Sequence, residues 1–372
     1  MKTAAIISEY NPFHFGHKYQ IDKLKADGFE LVIAIMSGNI VQRGELACAD
    51  KYARARAAIC CGADVVAELP APFSCASAEY FAYAGVLAAE AFGADVLSFG
   101  SECGDLSALE AHSGLQRNAE PGNGPARTEL CGTEFMSNDI LGIEYIRAIK
   151  KQRARIIPLT HKREGGGYLS DDCDVRYPSA SAIRKLLSDR DLERISSCMP
   201  AEAFTALASS LSDFDAEGRK KTLFDMLMPK LIYTPSDRLS ELAFLSGGLA
   251  QRIKKAAEHA VDLDDFYRLA ATKVYTNGRI RRASLCALCE IEADAIKTPP
   301  EYLSLLGVSA RGREYISSLK SEIEICTTMR QKKKYASFEY EKRFDGLYSL
   351  IRLKESGKRE NYSLTPPYIH QS

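Results

Sequence analysis

The segment that most constrains this chain lies near its start, where an apolar run is followed by a turn and two histidines. Residues Ala4–Ile7 form a short apolar run typical of a buried strand, and Asn11-Pro12 ends it because proline has no amide hydrogen. His14, Gly16 and His17 follow, and we expect His17 to open a helix. Helix N-termini favour anions, and two imidazoles add hydrogen-bond donors. The segment therefore predicts a nucleotide triphosphate site, although a strand-to-helix corner with two surface histidines is the simpler interpretation.

Strand-like and helix-like segments alternate over the first half of the chain. Apolar runs predict strands at Thr3–Ser8, Leu31–Met36, Val65–Leu69, Val96–Phe99 and Ile156–Leu159. Helical periodicity predicts helices at Lys18–Ala26, Lys51–Cys61, Ala76–Phe92 and Ile140–Lys151. This alternation indicates an α/β fold, a Rossmann-like doubly wound parallel sheet covered on both faces, whose ligands bind beyond the carboxyl ends of the strands.

From about residue 190 the pattern loses its strands and becomes mainly α-helical. We therefore divide the chain into an ATP-binding domain over 1–190 and a helical, RNA-contacting domain over 191–372. The second part carries basic clusters that alone are more often solvated helix faces, but together suit the phosphates of folded RNA. The clusters are Arg219-Lys220-Lys221, Arg252-Ile253-Lys254-Lys255, Arg279-Ile280-Arg281-Arg282 and Arg330–Tyr335.

Composition excludes some partners and leaves others open. The 372 residues contain 49 Lys plus Arg and 49 Asp plus Glu, so any nucleic-acid contact depends on a local basic face. The apolar run after Met1-Lys2 is too short for a signal peptide or a membrane span, so we expect a cytoplasmic protein without a membrane partner. Eleven cysteines imply no disulfide framework, and Cys286 and Cys289 lack a second ligand pair, so we predict no metal site in the protein.

Further candidate ligand groups follow the other predicted strands. Gly100 ends the fourth strand, where it lets a base or ribose approach the backbone or simply makes a tight turn. Asn138, within Ser137–Asp139, either reads an adenine or ribose or caps a helix beginning at Ile140. His161–Tyr168 and Ser179–Arg184 resemble phosphate clamps, with a solvated charge cluster as the alternative. Between these groups, the glycine- and proline-rich segment 118–127 predicts a mobile loop or a lid.

Several motifs together resemble one known family. They are Ser8–His17, Met36–Asn39, Gln42–Glu45, Gly62–Pro70, Phe99–Glu102 and Asn138–Tyr145, with looser matches at Gly278–Arg282 and Leu305–Arg313. The chain resembles the tRNA(Met) cytidine acetate ligase family, whose members are bacterial enzymes of the HIGH-motif nucleotidylyltransferase superfamily.

The resemblance implies an ATP-dependent ligase that forms acetyl-adenylate, releases pyrophosphate and acetylates the exocyclic amine of the wobble cytidine of elongator tRNA(Met). Acetate and tRNA(Met) would be its partners, and Mg²⁺ the usual companion of the phosphates. His14 and His17 would be catalytic. ATP contacts would fall on Ile7, Ser8, Glu9, Tyr10, Asn11, Pro12, Phe13, His14, Phe15, Gly16, His17, Lys18, Tyr19, Gln20, Gly100, Asn138 and Arg163. The glycine-rich Glu164–Tyr168 departs from the family pattern after the arginine. RNA contacts are predicted at Arg279, Arg281 and Arg282.

Two other functions remain open on the residues alone. A small-molecule nucleotidylyltransferase would use the same ATP loop to adenylate a phosphorylated metabolite, but it needs no large helical region. A non-catalytic RNA-binding module would keep ATP only as a structural element, which the intact His14, Gly16 and His17 disfavour. The sequence leaves the oligomeric state undetermined, and the acyl donor and the RNA depend on the resemblance.

Overall fold

A mostly parallel sheet organises the first half of the chain. The computed structural model describes residues 1–115, 135–163 and 177–370. Its strands are β1 (Thr3–Ser8), β2 (Leu31–Ser37), β3 (Ile40–Val41), β4 (Glu45–Leu46), β5 (Val65–Leu69), β6 (Val96–Ser101), β7 (Ile157–Lys162), β8 (Tyr302–Val308), β9 (Glu324–Cys326) and β10 (Tyr368–Ile369). The described residues form one eight-stranded sheet in the order β10-β8-β5-β2-β1-β6-β7, with β9 beside β8, and β3 pairs with β4 separately.

Five strands of this sheet, β5, β2, β1, β6 and β7, are mutually parallel. The strand order reverses at β1, because β2 lies on one side of it and β6 on the other. In open α/β sheets this reversal leaves a crevice beyond the carboxyl ends of the strands, where ligands bind. The doubly wound parallel sheet predicted from the sequence is confirmed.

Helices connect the strands and build the rest of the molecule. They are α1 (Phe15–Ala26), α2 (Lys51–Cys60), α3 (Ala78–Ala91), α4 (Leu106–Ser113), α5 (Ser137–Gln152), α6 (Ala180–Ser188), α7 (Leu192–Ser197), α8 (Ala201–Ser212), α9 (Ala216–Tyr233), α10 (Ser236–Ser240), α11 (Leu249–Ala257), α12 (Leu263–Ala270), α13 (Asn277–Leu288), α14 (Ala310–Ser318), α15 (Met329–Lys332) and α16 (Phe338–Ser356). Short 3-10 turns span Phe73–Cys75, Ala293–Ile296 and Tyr362–Leu364. No helix within the described ranges is both long and apolar enough for a membrane span.

Alternate residues of β1 belong to two separate apolar layers, because successive side chains of a strand point to opposite faces of the sheet. Ile6 packs with Ile21 of α1 on one face of the sheet. Ile7 packs with Phe81 of α3 on the other face. A third core lies among α9 to α13 and holds the helical region together.

The prediction that strands cease near residue 190 is wrong at β8, β9 and β10. Strand β8 is fully buried and pairs antiparallel with β5, so the late part of the chain completes the sheet. Its segment, Tyr-Leu-Ser-Leu-Leu-Gly-Val, contains one β-branched residue and is rich in leucine, so it lacks the usual strand signal. The division at residue 190 stays a prediction.

Candidate active site

The predicted nucleotide loop lies at the point where the strand order reverses. Strand β1 ends at Ser8, and the chain turns through residues 9–14 into helix α1. The neighbouring strand β6 ends at Ser101. The ends of two parallel strands and one helix N-terminus therefore border the same crevice, which is where such folds bind nucleotides.

His14 is the N-cap of α1, and it exchanges hydrogen bonds with His17. The Gly16 amide donates to His14 Nδ1 at 3.0 Å, and the His14 amide donates to His17 Nδ1 at 3.2 Å. The helix therefore begins at Phe15, so the predicted starts at His17 and Lys18 are wrong by two and three residues. The reason is that imidazole nitrogens here replace the Ser, Thr or Asp side chains that usually mark an N-cap.

These two hydrogen bonds also decide whether the Nε2 atom of each ring carries a proton. Burial, with the positive charges of Arg163 and Arg184, lowers the pKa of His14 to about 3. Burial, His14 and Arg163 hold the pKa of His17 well below its usual range. Both rings are thus neutral near pH 7, and because Nδ1 accepts in each, the proton is on Nε2. The pair presents two uncharged Nε2–H donors.

Packing holds the rings in place. The His14 and His17 ring centroids are 3.8 Å apart, and Tyr10 contacts His17 edge-on at 4.8 Å. A Cβ on Gly16 would lie 2.9 Å from His14 Cε1, so glycine is required there by the imidazole.

The other loop residues are tied to neighbouring elements. Asn11 Oδ1 accepts from the Cys48 amide at 2.8 Å, and the Asn11 carbonyl accepts from Arg184 at 2.8 Å. Glu9 accepts from the Gln42 amide at 2.9 Å. Arg184 of α6 therefore contacts the loop that follows β1, and the phosphate clamp at Ser179–Arg184 stays a prediction.

The remaining predicted ATP contacts on α1 have protein partners. Gln20 donates to the Ser98 carbonyl of β6 at 3.2 Å. Lys18 pairs with Asp22, and the Tyr19 ring lies 5.2 Å from the Tyr177 ring. Ile7, Pro12 and Phe13 are buried, whereas Phe15 is exposed. Contact of Ile7 to Gln20 with ATP stays a prediction.

Gly100 and Arg163 are brought together by strand pairing. Gly100 is opposite His161 in the register of β6 with β7, and the Arg163 amide donates to the Ser101 carbonyl at 3.0 Å. A Cβ on Gly100 would lie 2.9 Å from Arg163 Cγ. Gly100 therefore leaves room for the Arg163 side chain. Segments 118–127 and Glu164–Tyr168, predicted as a lid and a glycine-rich clamp, lie outside the described residues.

Asn138 lies in the first turn of α5, beside the end of β6. The helix begins at Ser137, not at the predicted Ile140, because Asp139 accepts from the Met136 amide and completes the cap. Asn138 Nδ2 donates to Glu102 Oε1 at 2.5 Å, and the Asp139 amide donates to Glu102 Oε2 at 3.1 Å. Glu102 belongs to a motif quoted for the resemblance, but sequence reasoning gave it no role.

Two buried cations of α2 were also missed. Arg54 is fully buried and donates to the carbonyls of Glu9 and Ser37, at 2.6 and 3.0 Å, so it ties the carboxyl ends of β1 and β2 together. Lys51 is equally buried and lies 2.7 to 3.0 Å from three carboxylates, those of Glu68, Glu341 and Asp345. The local sequence shows only three cations in an alanine-rich helix, and nothing in it marks two of them as buried.

The three arginines predicted to contact RNA all contact the protein. Arg279 is buried and donates to the Ser246 carbonyl at 3.2 Å. Arg281 pairs with Glu45, and Arg282 donates to the Gln42 carbonyl at 3.4 Å. The last two therefore hold the β3–β4 hairpin against α13. Their contact with RNA stays a prediction.

Comparison with known proteins agrees with this geometry. A family model described as HIGH Nucleotidyl Transferase matches residues 1–363. The tRNA(Met) cytidine acetate ligase of Caldicellulosiruptor bescii is 34% identical, with 89% of this chain and 88% of that protein covered. The chain belongs to the tRNA(Met) cytidine acetate ligase family. The relative of the same name in Listeria monocytogenes serovar 1/2a is 32% identical, with 98% of this chain and 99% of the relative covered.

Solved structures extend the match to the whole tRNA(Met) cytidine acetate ligase fold. Apo Thermotoga maritima TmcAL is 27% identical, superposes with a TM-score of 0.87 and covers 99% of this chain and 100% of that one. The same enzyme bound with alpha-thio ATP gives a TM-score of 0.85 at the same coverage. That protein binds a nucleotide with the fold described here.

Proposed function

We propose that this chain is an ATP-dependent ligase that activates acetate as acetyl-adenylate and acetylates the wobble cytidine of elongator tRNA(Met). The observation that carries the proposal is the histidine pair at the N-terminus of α1, beside the reversal of strand order at β1, where both Nδ1 atoms accept backbone amides and leave Nε2–H as the donor of each neutral ring. The named relatives supply the acceptor and the donor, since they are tRNA(Met) cytidine acetate ligases.

The first step joins two anions. A carboxylate oxygen of acetate attacks the α-phosphorus of ATP, the bond to the bridging oxygen breaks, and pyrophosphate leaves with its electron pair. Negative charge grows on the phosphate oxygens and on the leaving group, so donors fixed beforehand lower the barrier. Donors that carry no charge also avoid the cost of burying cations before the nucleotide arrives.

The residues divide this work by their position. His14, His17 and the first amides of α1 would hold the α- and β-phosphates. Arg184, hydrogen-bonded to the Asn11 carbonyl, and Arg163, packed on Gly100, would neutralise the departing pyrophosphate. Asn138 would contact the nucleoside at the opposite side of the crevice.

We expect magnesium to bind through the phosphates of the nucleotide and not through a set of protein ligands. The described ranges contain no group of three His, Cys, Asp or Glu side chains arranged to hold a metal ion. Mg²⁺ commonly keeps several waters and binds through substrate phosphates, so we propose that it enters with ATP. When bound, it would neutralise charge on the phosphate oxygens.

The second step needs no covalent enzyme intermediate. The exocyclic nitrogen of cytidine attacks the acetyl carbonyl of acetyl-adenylate and an amide bond forms. The bond between the acyl carbon and the phosphate oxygen breaks, AMP leaves with its electron pair, and the proton lost by the nitrogen passes to the AMP phosphate or to water.

The test is incubation of the full chain with ATP, acetate and tRNA, followed by nucleoside analysis and a pyrophosphate assay. We expect acetylcytidine and acetate-dependent pyrophosphate release that does not require tRNA. Adenylation of a phosphorylated metabolite without tRNA modification would identify the small-molecule nucleotidylyltransferase instead. Nucleotide binding without turnover would identify the non-catalytic module.

A further inference from the structure

The carboxylate of Glu102 accepts two hydrogen bonds at the start of α5, one from a backbone amide and one from a side chain. Its Oε2 accepts from the Asp139 amide at 3.1 Å, and its Oε1 accepts from Asn138 Nδ2 at 2.5 Å. A second tie joins the same loop and helix, because Asp139 Oδ1 accepts from the Cys103 amide at 3.0 Å. The start of α5 is therefore attached to the loop through the carboxylates of both Glu102 and Asp139. Among the described residues, Glu102 alone holds the side-chain amide of Asn138.

The carboxylate decides which way this amide points. An ionised carboxylate only accepts hydrogen bonds, so it selects the NH₂ group of Asn138 and turns the carbonyl Oδ1 away from itself. Within residues 1–115, 135–163 and 177–370, no side chain or backbone group donates to that Oδ1. Asn138 is only partly buried, so this acceptor is open to a ligand.

We infer that Glu102 is a positioning residue, which fixes Asn138 so that Oδ1 accepts a hydrogen bond from a donor on the nucleoside part of ATP. The inference rests on the proposed function, and it adds that Asn138 is the acceptor and the nucleoside the donor in their hydrogen bond. Two groups of adenosine donate to such an acceptor: the exocyclic amine of the base and a ribose hydroxyl. An amide free to rotate would present either a donor or an acceptor, and it would lose this selectivity.

The experiment compares ATP with inosine triphosphate, 2′-deoxy-ATP and 3′-deoxy-ATP on the full chain. Inosine triphosphate replaces the amine by an acceptor, and each deoxynucleotide lacks one hydroxyl. Affinities are measured by calorimetry, and KM and kcat by acetate-dependent pyrophosphate release. We expect the wild type to disfavour the analogue that lacks the donor, and E102A to reduce this preference about tenfold, since one hydrogen bond is lost. The effect should fall on KM rather than kcat.

Two variants separate orientation from folding. E102Q has a single carbonyl oxygen, which can keep the hydrogen bond to the Asp139 amide, but its NH₂ group then faces Asn138 and attracts Oδ1, so we expect it to hold α5 in place and still lose the preference as E102A does. D139A removes the parallel tie to the Cys103 amide, so it should lower the melting temperature without changing the preference.

Three results would overturn the inference. They are a wild type that binds ATP and all analogues equally, an E102A variant with the wild-type preference for ATP, and a D139A variant that loses as much of this preference as E102A. Failure of the proposed function is a separate outcome. In that case turnover is absent in the wild type, while calorimetry still reports the preference.

Discussion

Each imidazole of the histidine pair uses its two edges differently. The Nδ1 edge accepts a backbone amide and shapes the start of α1, and we propose that the Nε2 edge binds the phosphates. Substitution of either histidine by alanine removes the Nδ1 acceptor and the Nε2–H donor together. A loss of activity could then come from a disturbed helix start or from a lost phosphate contact. The two roles are separable because asparagine is among the best N-cap residues.

We predict that His14→Asn keeps the fold and loses turnover. The asparagine Oδ1 can accept the Gly16 amide, whereas no donor replaces Nε2–H, which should cost on the order of 3 kcal/mol in the transition state, or about 100-fold in rate. Thermal unfolding and acetate-dependent pyrophosphate release measure the two effects. His14→Ala is the matched variant, with an additional loss of about 1 kcal/mol in stability. Turnover of His14→Asn within threefold of wild type would contradict the assignment.

The cluster around Lys51 predicts a pH dependence of stability. Its three carboxylates and two ammonium groups, Lys51 and Lys332, carry one excess negative charge when all are ionised. Burial, together with repulsion from Glu341 and Asp345 against the attraction of Lys51, raises the pKa of Glu68 to about 7. A carboxyl whose pKa is raised on folding stabilises the protein at low pH, and this stabilisation is lost as the pH rises from about 4.5 to 7.

We therefore expect Glu68→Gln to gain stability relative to wild type as the pH rises. The amide imitates the protonated carboxyl, so the difference in unfolding free energy should grow by about 3 kcal/mol between pH 4.5 and pH 8. Guanidinium unfolding at the two pH values measures it. Glu339→Gln, at an exposed position on α16, is the control. An equal difference at both pH values would show that Glu68 keeps an ordinary pKa.

At the scale of elements, the β3–β4 hairpin connects the nucleotide loop with the helical region. The Gln42 amide donates to Glu9, and the hairpin packs so closely on α13 that a Cβ on Gly44 would lie 2.5 Å from the Arg282 amide nitrogen. Arg281 and Glu45 close the contact as an ion pair. The basic cluster at Arg279–Arg282 therefore has a structural role, whether or not it also meets RNA.

This contact leads to a test that separates the two roles. If Arg281 serves the hairpin, Arg281→Gln and Glu45→Gln should have equal effects on stability, and neither should change the salt dependence of tRNA binding. If Arg281 contacts a phosphate, only Arg281→Gln should reduce the slope of binding against salt, by about one. We expect the first result. Filter binding over a salt series, beside thermal unfolding, measures both.

Local pattern was enough for the five parallel strands and most helices of the first half, whereas the two-residue strands β3 and β4 were missed. The bounds of β1 and β5 agree with prediction because each is a short apolar run between turn residues. The start of α1 was missed because its cap is an imidazole, and β8 because leucine is a strong helix former and three of its seven residues are leucine. Glu102, Lys51 and Arg54 were missed for another reason: their partners are distant in sequence, up to 294 residues for Lys51 and Asp345.

At the scale of the whole molecule, the first and last parts of the chain share one core. Lys51 of α2 is buried against Glu341 and Asp345 of α16, and β8 covers the side of β5. Removing the later residues would leave a buried ammonium with one carboxylate and an open sheet edge. Breaking a buried ion cluster in this way typically costs 3–5 kcal/mol.

We accordingly predict that residues 1–190 do not fold alone. The fragment should show no cooperative thermal unfolding and should bind a hydrophobic dye, whereas the full chain unfolds in one transition. Circular dichroism and calorimetry on both proteins test this. A fragment that unfolds cooperatively and binds ATP would instead support two independent domains divided at residue 190.

The position of β8 also has a consequence during translation. Strand β5 leaves the ribosome about 230 residues before its antiparallel neighbour, which at 5–20 residues per second is a delay of roughly 10 to 50 seconds. Throughout that interval one side of β5 is an unpaired, apolar edge, a known template for aggregation. Nascent chains of this protein should therefore depend on chaperones until β8 is made, and slow codons between the two strands should lower the soluble yield.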